Sequence, residues 1–179
     1  MHLSEFTILT GILLVILGVP FLSSNVFVQA KVLSFPRSRL LAYILMVTGV
    51  CWFLFGHVMQ LGEADFGEYK TIIVLISICI LFSAFFLTKD FLAVRALSIL
   101  ILLYSREVLD AAFLQEPSAR LFLVAVIYIL ISVALYLGAY PYRMRDFLTF
   151  IYRKKSRPKY LGIALVVCGL GLSFSALSY

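Results

Sequence analysis

Apolar runs about as long as a bilayer is thick follow one another along most of this 179-residue chain. A hydrocarbon core of about 30 Å requires about 20 apolar residues from each helix that crosses it. The chain is 63% hydrophobic and 13% charged, whereas soluble domains average about 45–50% apolar and about 25% charged residues. A water-soluble domain of this size cannot bury so much apolar surface. The sequence therefore predicts an all-α fold, a polytopic transmembrane helix bundle.

The runs predict about six helices, joined as three hairpins in a single transmembrane domain that covers residues 1–179. These helices are expected at residues 6–22, 40–61, 71–87, 91–114, 121–139 and 160–177. Pro36 is expected to open the second helix, where its missing N–H costs no hydrogen bond. We expect the first run to remain a helix. A cleaved signal peptide would begin with a basic segment, and Glu5 is the only acidic or basic side chain before this run other than His2.

The two ends of the chain resemble each other. Residues 17–21 (LGVPF) are echoed by residues 137–142 (LGAYPY), and each stretch is followed by a basic segment and a second apolar run. This pattern predicts an internal repeat of helical hairpins with a shortened middle copy. The alternative is that hairpins ending at a basic interface look alike without being repeats.

The distribution of charge predicts the orientation of the bundle. Basic residues in short loops are retained on the cytoplasmic side of a membrane. The loops after the first, third and fifth predicted helices hold twelve of the 15 basic residues, and seven of the nine acids lie on the other side. This separation requires an even number of helices. We therefore expect both termini on the non-cytoplasmic side, in a membrane that we interpret as a bacterial cytoplasmic membrane.

A subset of these basic residues is predicted to anchor the cytoplasmic face to anionic lipids, at about 1 kcal/mol for each side chain near the surface. The subset is Arg37, Arg39, Arg153, Lys154, Lys155 and Arg157. Apolar residues fall between the basic ones in 143–159, which is typical of a helix lying in the interface. Plain anchoring is favoured over recognition of a specific lipid or protein. Because the charge flanks membrane segments, the net charge of +6 does not predict nucleic-acid binding.

The strongest functional hint is a charged cluster near the outer end of the predicted fourth helix, formed by Arg106, Glu107 and Asp110. Charged residues at this depth are rare and tend to face the bundle interior or a wet cavity. Arg106 and Asp110 are four residues apart and can pair, which leaves Glu107 as a spare carboxylate. His57 and Gln60 of the second helix are expected at the same level. These five residues predict a polar, acid-rich vestibule, to which the loop after the second helix adds further acids.

Two interpretations compete for this vestibule. In the functional one it admits a small cation or polar solute, with Asp110 or Glu107 as the acceptor and Arg106 as gate or counter-ion. In the structural one the fourth helix surfaces early, and Arg106 extends to the headgroups beside its own carboxylates. The sequence favours the structural interpretation, because a charge costs less toward the end of a helix.

Glycines spaced seven residues apart occur in the first and the last predicted helix. The pairs are Gly11 with Gly18 and Gly162 with Gly169. Small residues on one face let the backbones of two membrane helices approach closely. We expect these faces to pack within the chain and not as a dimer seam, since each helix in a six-helix bundle already has neighbours.

Enzyme motifs are missing from the sequence, which has no H-E-x-x-H, no P-loop glycine pattern and no G-x-S-x-G. We therefore expect no catalytic residues, no metal site and no cofactor. The first hypothesis is a non-catalytic accessory or scaffold subunit of a membrane assembly, with partner membrane subunits and the lipid bilayer as its surroundings. The alternative is a carrier or channel for a small cation or polar solute that enters through the acidic vestibule.

Overall fold

The computed structural model describes residues 3–23, 25–62, 67–87, 90–115 and 119–176. These ranges contain helices and turns and no β-strand. The helices are α1 (Leu3–Leu22), α2 (Val26–Ser34), α3 (Arg39–Phe53), α4 (Lys70–Leu87), α5 (Leu92–Ala112), α6 (Arg120–Ala139), α7 (Tyr142–Tyr152) and α8 (Ser156–Ser175). A 3-10 turn, Phe35–Arg37, precedes α3, and another, Gly67–Tyr69, precedes α4. The prediction of an all-helical bundle is confirmed.

Five stretches of the described chain are long and apolar enough to cross a membrane. They are Leu3–Leu22, Arg39–Val58, Gly67–Phe86, Arg120–Ala139 and Ser156–Ser175. The predicted fourth helix is present as α5, which has 21 residues but carries too many charges to be counted among the five. Large apolar side chains such as Ile16, Phe86 and Ile129 are exposed on the outside of the bundle. Lipid tails solvate such side chains at no cost, and these features fit a helical membrane protein.

The second predicted helix differs from the structure at its end. It was expected to continue as α-helix to residue 61, but regular α-helix ends at Phe53 and is followed by a π-helical segment, Leu54–Val58. The Met59 N–H donates to the Leu54 carbonyl oxygen at 2.9 Å, which is the five-residue spacing of a π-helix. The segment ends by residue 58, so the prediction was wrong for the last turn. Residues 63–66 of the predicted acidic loop and residue 177, the predicted end of the last helix, lie outside the described residues.

Glycine allows α1 and α8 to pack as an antiparallel pair. A Cβ atom on Gly169 would lie 2.5 Å from the Gly11 carbonyl oxygen, and one on Gly162 would lie 3.0 Å from the Gly18 carbonyl oxygen. No side chain fits between the backbones at these positions. The prediction that the glycine faces pack within the chain is confirmed.

The main helix pairs are not the three hairpins of consecutive helices. The most extensive contacts are between α1 and α8, between α5 and α6, and between α3 and α5. The alanines Ala42, Ala93 and Ala96, all buried, let α3 approach α5, and α5 thereby lies between α3 and α6. By contrast, none of the described side chains of α4 is buried. Small residues in the contact faces allow the pairs α1–α8 and α3–α5, which are not adjacent along the chain, to approach closely.

The two ends of the bundle differ in charge. We call one the basic end: there α2 and the Phe35–Arg37 turn contact α7. The opposite, acidic end contains the start of α1, the π-helical segment and the last turns of α5. Helix α7 buries Leu148 and Ile151 and exposes Phe147 and Phe150, so the helix predicted within 143–159 is present. The order of long, short and long helix recurs in α1–α2–α3 and α6–α7–α8, whereas the internal repeat itself stays a prediction.

Candidate functional site

A cleft of about 760 Å³ opens at the acidic end, between α1, the π-helical segment and α5. Ligand-binding clefts are commonly about 300–1,000 Å³. All five residues predicted for the vestibule line it: His57, Gln60, Arg106, Glu107 and Asp110. The other lining residues are Phe6, Leu9, Trp52, Gly56, Leu61, Tyr104 and Ala111. The predicted residues are therefore brought together in one cleft with an aromatic and aliphatic wall.

The π-helical segment brings His57 onto the face of α3 that borders the cleft. In a regular α-helix, residues five apart such as Trp52 and His57 point in different directions. A π-turn holds one more residue, which brings side chains five apart closer to the same face. Both residues consequently line the cleft. Single π-turns inside α-helices occur often at functional sites.

His57 is more buried than the three charged residues of the cleft, Arg106, Glu107 and Asp110. Its side chain is 10% exposed, and its Nε2 atom lies 3.5 Å from Oε1 of Glu107. The ring also stacks on Phe53 at a centroid distance of 6.1 Å. Its other nitrogen, Nδ1, is buried and has no hydrogen-bond partner in the described structure. Buried polar atoms are nearly always paired, so this unpaired ring nitrogen is an exception that needs an explanation.

Arg106 and Asp110 form the predicted pair across one helical turn. The Arg106 Nε atom lies 3.8 Å from Oδ2 of Asp110, and the two side chains are 63% and 73% exposed. The pair therefore lies at the exposed rim of the cleft. This differs from the expectation that charged residues at this depth face the bundle interior or a wet cavity. An exposed pair four residues apart contributes only about 0.3–0.5 kcal/mol. Glu107, 38% exposed, is left as the carboxylate that faces the cleft beside His57.

Tyr104 is held in the cleft wall by contacts with α1. Its hydroxyl lies 2.7 Å from Oγ1 of Thr10, which is buried and also donates to the Phe6 carbonyl oxygen at 2.7 Å. The Tyr104 and Phe6 rings meet edge to face at 6.3 Å. These contacts fix the position of the ring three residues before Glu107. The cleft wall is thus built by two helices far apart in sequence.

Sequence reasoning missed the aromatic part of the cleft. The vestibule predicted from the sequence included neither Trp52 nor Tyr104. Tyr104, Glu107 and Ala111 follow a spacing of three and four residues, which places them on one helix face and could have identified Tyr104. No comparable signal was available for Trp52, because its place beside His57 depends on the π-turn.

The predicted lipid anchors lie at the basic end, away from the cleft. Arg37, Arg39, Arg153, Lys154 and Lys155 are exposed. Arg157 is half-buried: its Nη1 atom donates to the Phe150 carbonyl oxygen at 3.0 Å, and its guanidinium lies 3.9 Å from the centroid of the Phe150 ring. Five of the six side chains are therefore exposed, whereas Arg157 ties α7 to the start of α8.

The chain matches no protein family model, no curated protein and no solved structure. Its class accordingly follows from its own fold: an all-helical chain in which five stretches are long and apolar enough to cross a membrane. Among the described residues there is no group of three or more His, Cys, Asp or Glu side chains placed to hold a metal ion. The cleft can offer a ligand the Glu107 carboxylate, which has no arginine or lysine partner among the described residues, the His57 imidazole and aromatic faces.

Proposed function

We propose that this protein is a multi-pass, non-catalytic membrane protein that binds a small cation or polar solute in the cleft at its acidic end, as a carrier does. One observation supports this above all. His57 is nine-tenths buried beside Glu107 in an open cleft, and one ring nitrogen has no partner within the described residues. Burying an unpaired polar atom costs about 1–3 kcal/mol, which a bound ligand would offset.

The structural interpretation of the charged cluster accounts for only part of it. Arg106 and Asp110 pair at the exposed rim, as expected of a helix that surfaces early. That interpretation gives no reason for a buried histidine held against a second carboxylate. A ligand site explains His57 and Glu107 together, and for this reason we place solute binding ahead of a purely scaffolding role.

The same proposal includes an orientation. The basic end would face the cytoplasm, where Arg and Lys side chains are retained and contact anionic lipids. The cleft would then open toward the non-cytoplasmic side of what we take to be a bacterial cytoplasmic membrane. A solute would reach it from outside the cell.

Fluorescence of Trp52 offers a direct test, because it is the only tryptophan in the chain and lines the cleft. With the protein in liposomes, we expect at least one small solute from a panel of cations, zwitterions, neutral polar compounds and anions to change the emission saturably. Ala111→Phe, which fills the cleft, should abolish the response. Ala139→Phe, the same change at an exposed position of the basic end, should leave it intact. No response to any solute would refute the proposal.

A second function is favoured by α4. This helix exposes Ile72, Leu75, Ile76 and Ile80, and none of its described side chains is buried. Such a helix is available to a neighbouring membrane subunit, as expected of an accessory or scaffold protein.

That second function predicts stoichiometric co-purification of a partner in mild detergent. Leu75→Trp on α4 should disrupt the complex, and Ile129→Trp, at a similarly exposed position of α6, should not. A chain that stays alone under these conditions would count against the accessory role and leave solute binding in the cleft unaffected.

A further inference from the structure

We propose that the ligand of the cleft is a protonated organic amine: a primary or secondary ammonium group attached to a small apolar body. This inference rests on the proposed function, because it names the class of solute that the same cleft binds. The charge, the hydrogen-bonding capacity and the apolar lining of the cleft each restrict the ligand, and they agree on this class.

The charge balance of the cleft favours a cation. Arg106 is engaged by Asp110 at the rim, so these two charges offset each other. Glu107 has no arginine or lysine within ion-pair distance in the described structure, and it lies against His57. The carboxylate of Glu107 is therefore not offset by an arginine or lysine of the described residues. An ammonium group beside this carboxylate would make a charge-assisted hydrogen bond, the stronger kind.

His57 adds a hydrogen-bond acceptor for an N–H group. In the neutral imidazole one ring nitrogen carries the proton and the other accepts. The Nε2 atom faces Oε1 of Glu107 at 3.5 Å, which favours the proton on Nε2. Nδ1, which is buried and unpartnered, is then the acceptor, and a ligand N–H reaches it only when the ring turns toward the cleft. A quaternary ammonium or an alkali cation cannot donate to it, whereas a primary or secondary ammonium can.

The apolar lining fits the body of such an amine. Trp52, Tyr104 and Phe6 contribute aromatic side chains to the cleft, and Leu9 and Leu61 contribute aliphatic ones. Aromatic faces attract organic cations and also cover apolar groups. A hydrated inorganic cation gains nothing from this wall.

The test uses the protein in phosphatidylcholine liposomes with Trp52 fluorescence as the readout. Phenethylammonium is the probe, compared with its N,N,N-trimethyl analogue, with neutral 2-phenylethanol and with potassium chloride. We expect phenethylammonium to bind at least about tenfold more tightly than the other three, since loss of a hydrogen bond to a charged group costs about 1.5–3 kcal/mol.

Variants separate the two polar groups. Glu107→Gln should weaken phenethylammonium binding at least about tenfold by removing the charge. His57→Gln keeps an amide near the position of Nε2 but has no counterpart of Nδ1, and should reduce the preference over the trimethyl analogue. Asp90→Asn, which removes an exposed acid just before α5 and so at the opposite end of that helix from the cleft, is the control and should bind as the wild type does. Unchanged size-exclusion profiles and helical circular dichroism will establish that each variant is folded.

The ammonium group could come from a soluble amine or from a phosphatidylethanolamine headgroup. Adding phosphatidylethanolamine to the liposomes distinguishes the two sources. If the lipid competes with phenethylammonium for the wild type and not for Glu107→Gln, the lipid headgroup is a source. If the lipid does not compete, the source is a soluble amine. Both results support the ammonium class.

Equal binding of the trimethyl analogue or of 2-phenylethanol, or wild-type binding by Glu107→Gln, would overturn the inference. If an anion or neutral solute binds in a manner blocked by Ala111→Phe, the amine inference alone fails. If no solute of any kind binds, the proposed function fails with it.

Discussion

Gly169→Ala is expected to be less stable than Gly171→Ala by about 1–3 kcal/mol, the usual cost of overfilling a packed interface. A Cβ atom on Gly169 would lie 2.5 Å from the Gly11 carbonyl oxygen and 2.9 Å from Cγ2 of Val15. Side-chain rotation cannot relieve a clash with a backbone oxygen. Helices α1 and α8 must therefore move apart, and the close packing around their other glycines is lost as well.

Gly171→Ala is the matched control because it makes the same change two residues away. Its added Cβ would lie 3.5 Å from Cε1 of Phe122, an ordinary contact. Alanine favours a helix over glycine by about 1 kcal/mol in both variants, so this effect cancels in the comparison. The measurement is denaturant-induced or thermal unfolding in detergent micelles. Equal stability of the two variants would mean that α1 and α8 do not pack through their glycines.

A reporter fused after Tyr179 is expected to lie on the non-cytoplasmic side of the membrane. The structure gathers α2, α7 and the Phe35–Arg37 turn at one end, and the described end of α8 lies at the other. If the basic end is cytoplasmic, the end of α8 must be outside. Alkaline phosphatase, which is active only outside the cytoplasm, and green fluorescent protein, which fluoresces inside it, give opposite readouts for this fusion.

Neutralising the basic segment tests the cause of this orientation. Replacing the exposed Arg153, Lys154 and Lys155 by glutamine removes three side chains worth about 1 kcal/mol each at an anionic surface. We expect a mixed population of reporter orientations from this variant. Lys70→Gln combined with Arg120→Gln, at the acidic end, should leave a single orientation. Cytoplasmic reporter activity from the wild type would refute the assigned orientation.

Much of the candidate site could be predicted from local spacing. Arg106 and Asp110 are one helical turn apart and pair as expected, because neighbours on a helix surface are determined by the sequence alone. His57 and Gln60 were placed at the same level as this pair by counting residues along two helices. Spacing could not show that Arg106 and Asp110 are exposed while His57 is nearly buried, since burial depends on the helices packed around them.

The sequence by itself determined that the chain is a bundle of long apolar helices, that glycine faces hold helices together, and that basic and acidic residues collect at opposite ends. These properties are local, because hydrophobicity, side-chain size and charge act through helix length and periodicity. Only the tertiary structure decided that α1 pairs with α8, that α5 lies between α3 and α6, and that a π-turn brings His57 beside Glu107 and Trp52. The physical reason is that these outcomes depend on contacts between distant segments, such as Gly11 and Gly169, which are more than 150 residues apart. The fit between two helix surfaces decides which helices pair, and no single stretch of sequence contains both surfaces.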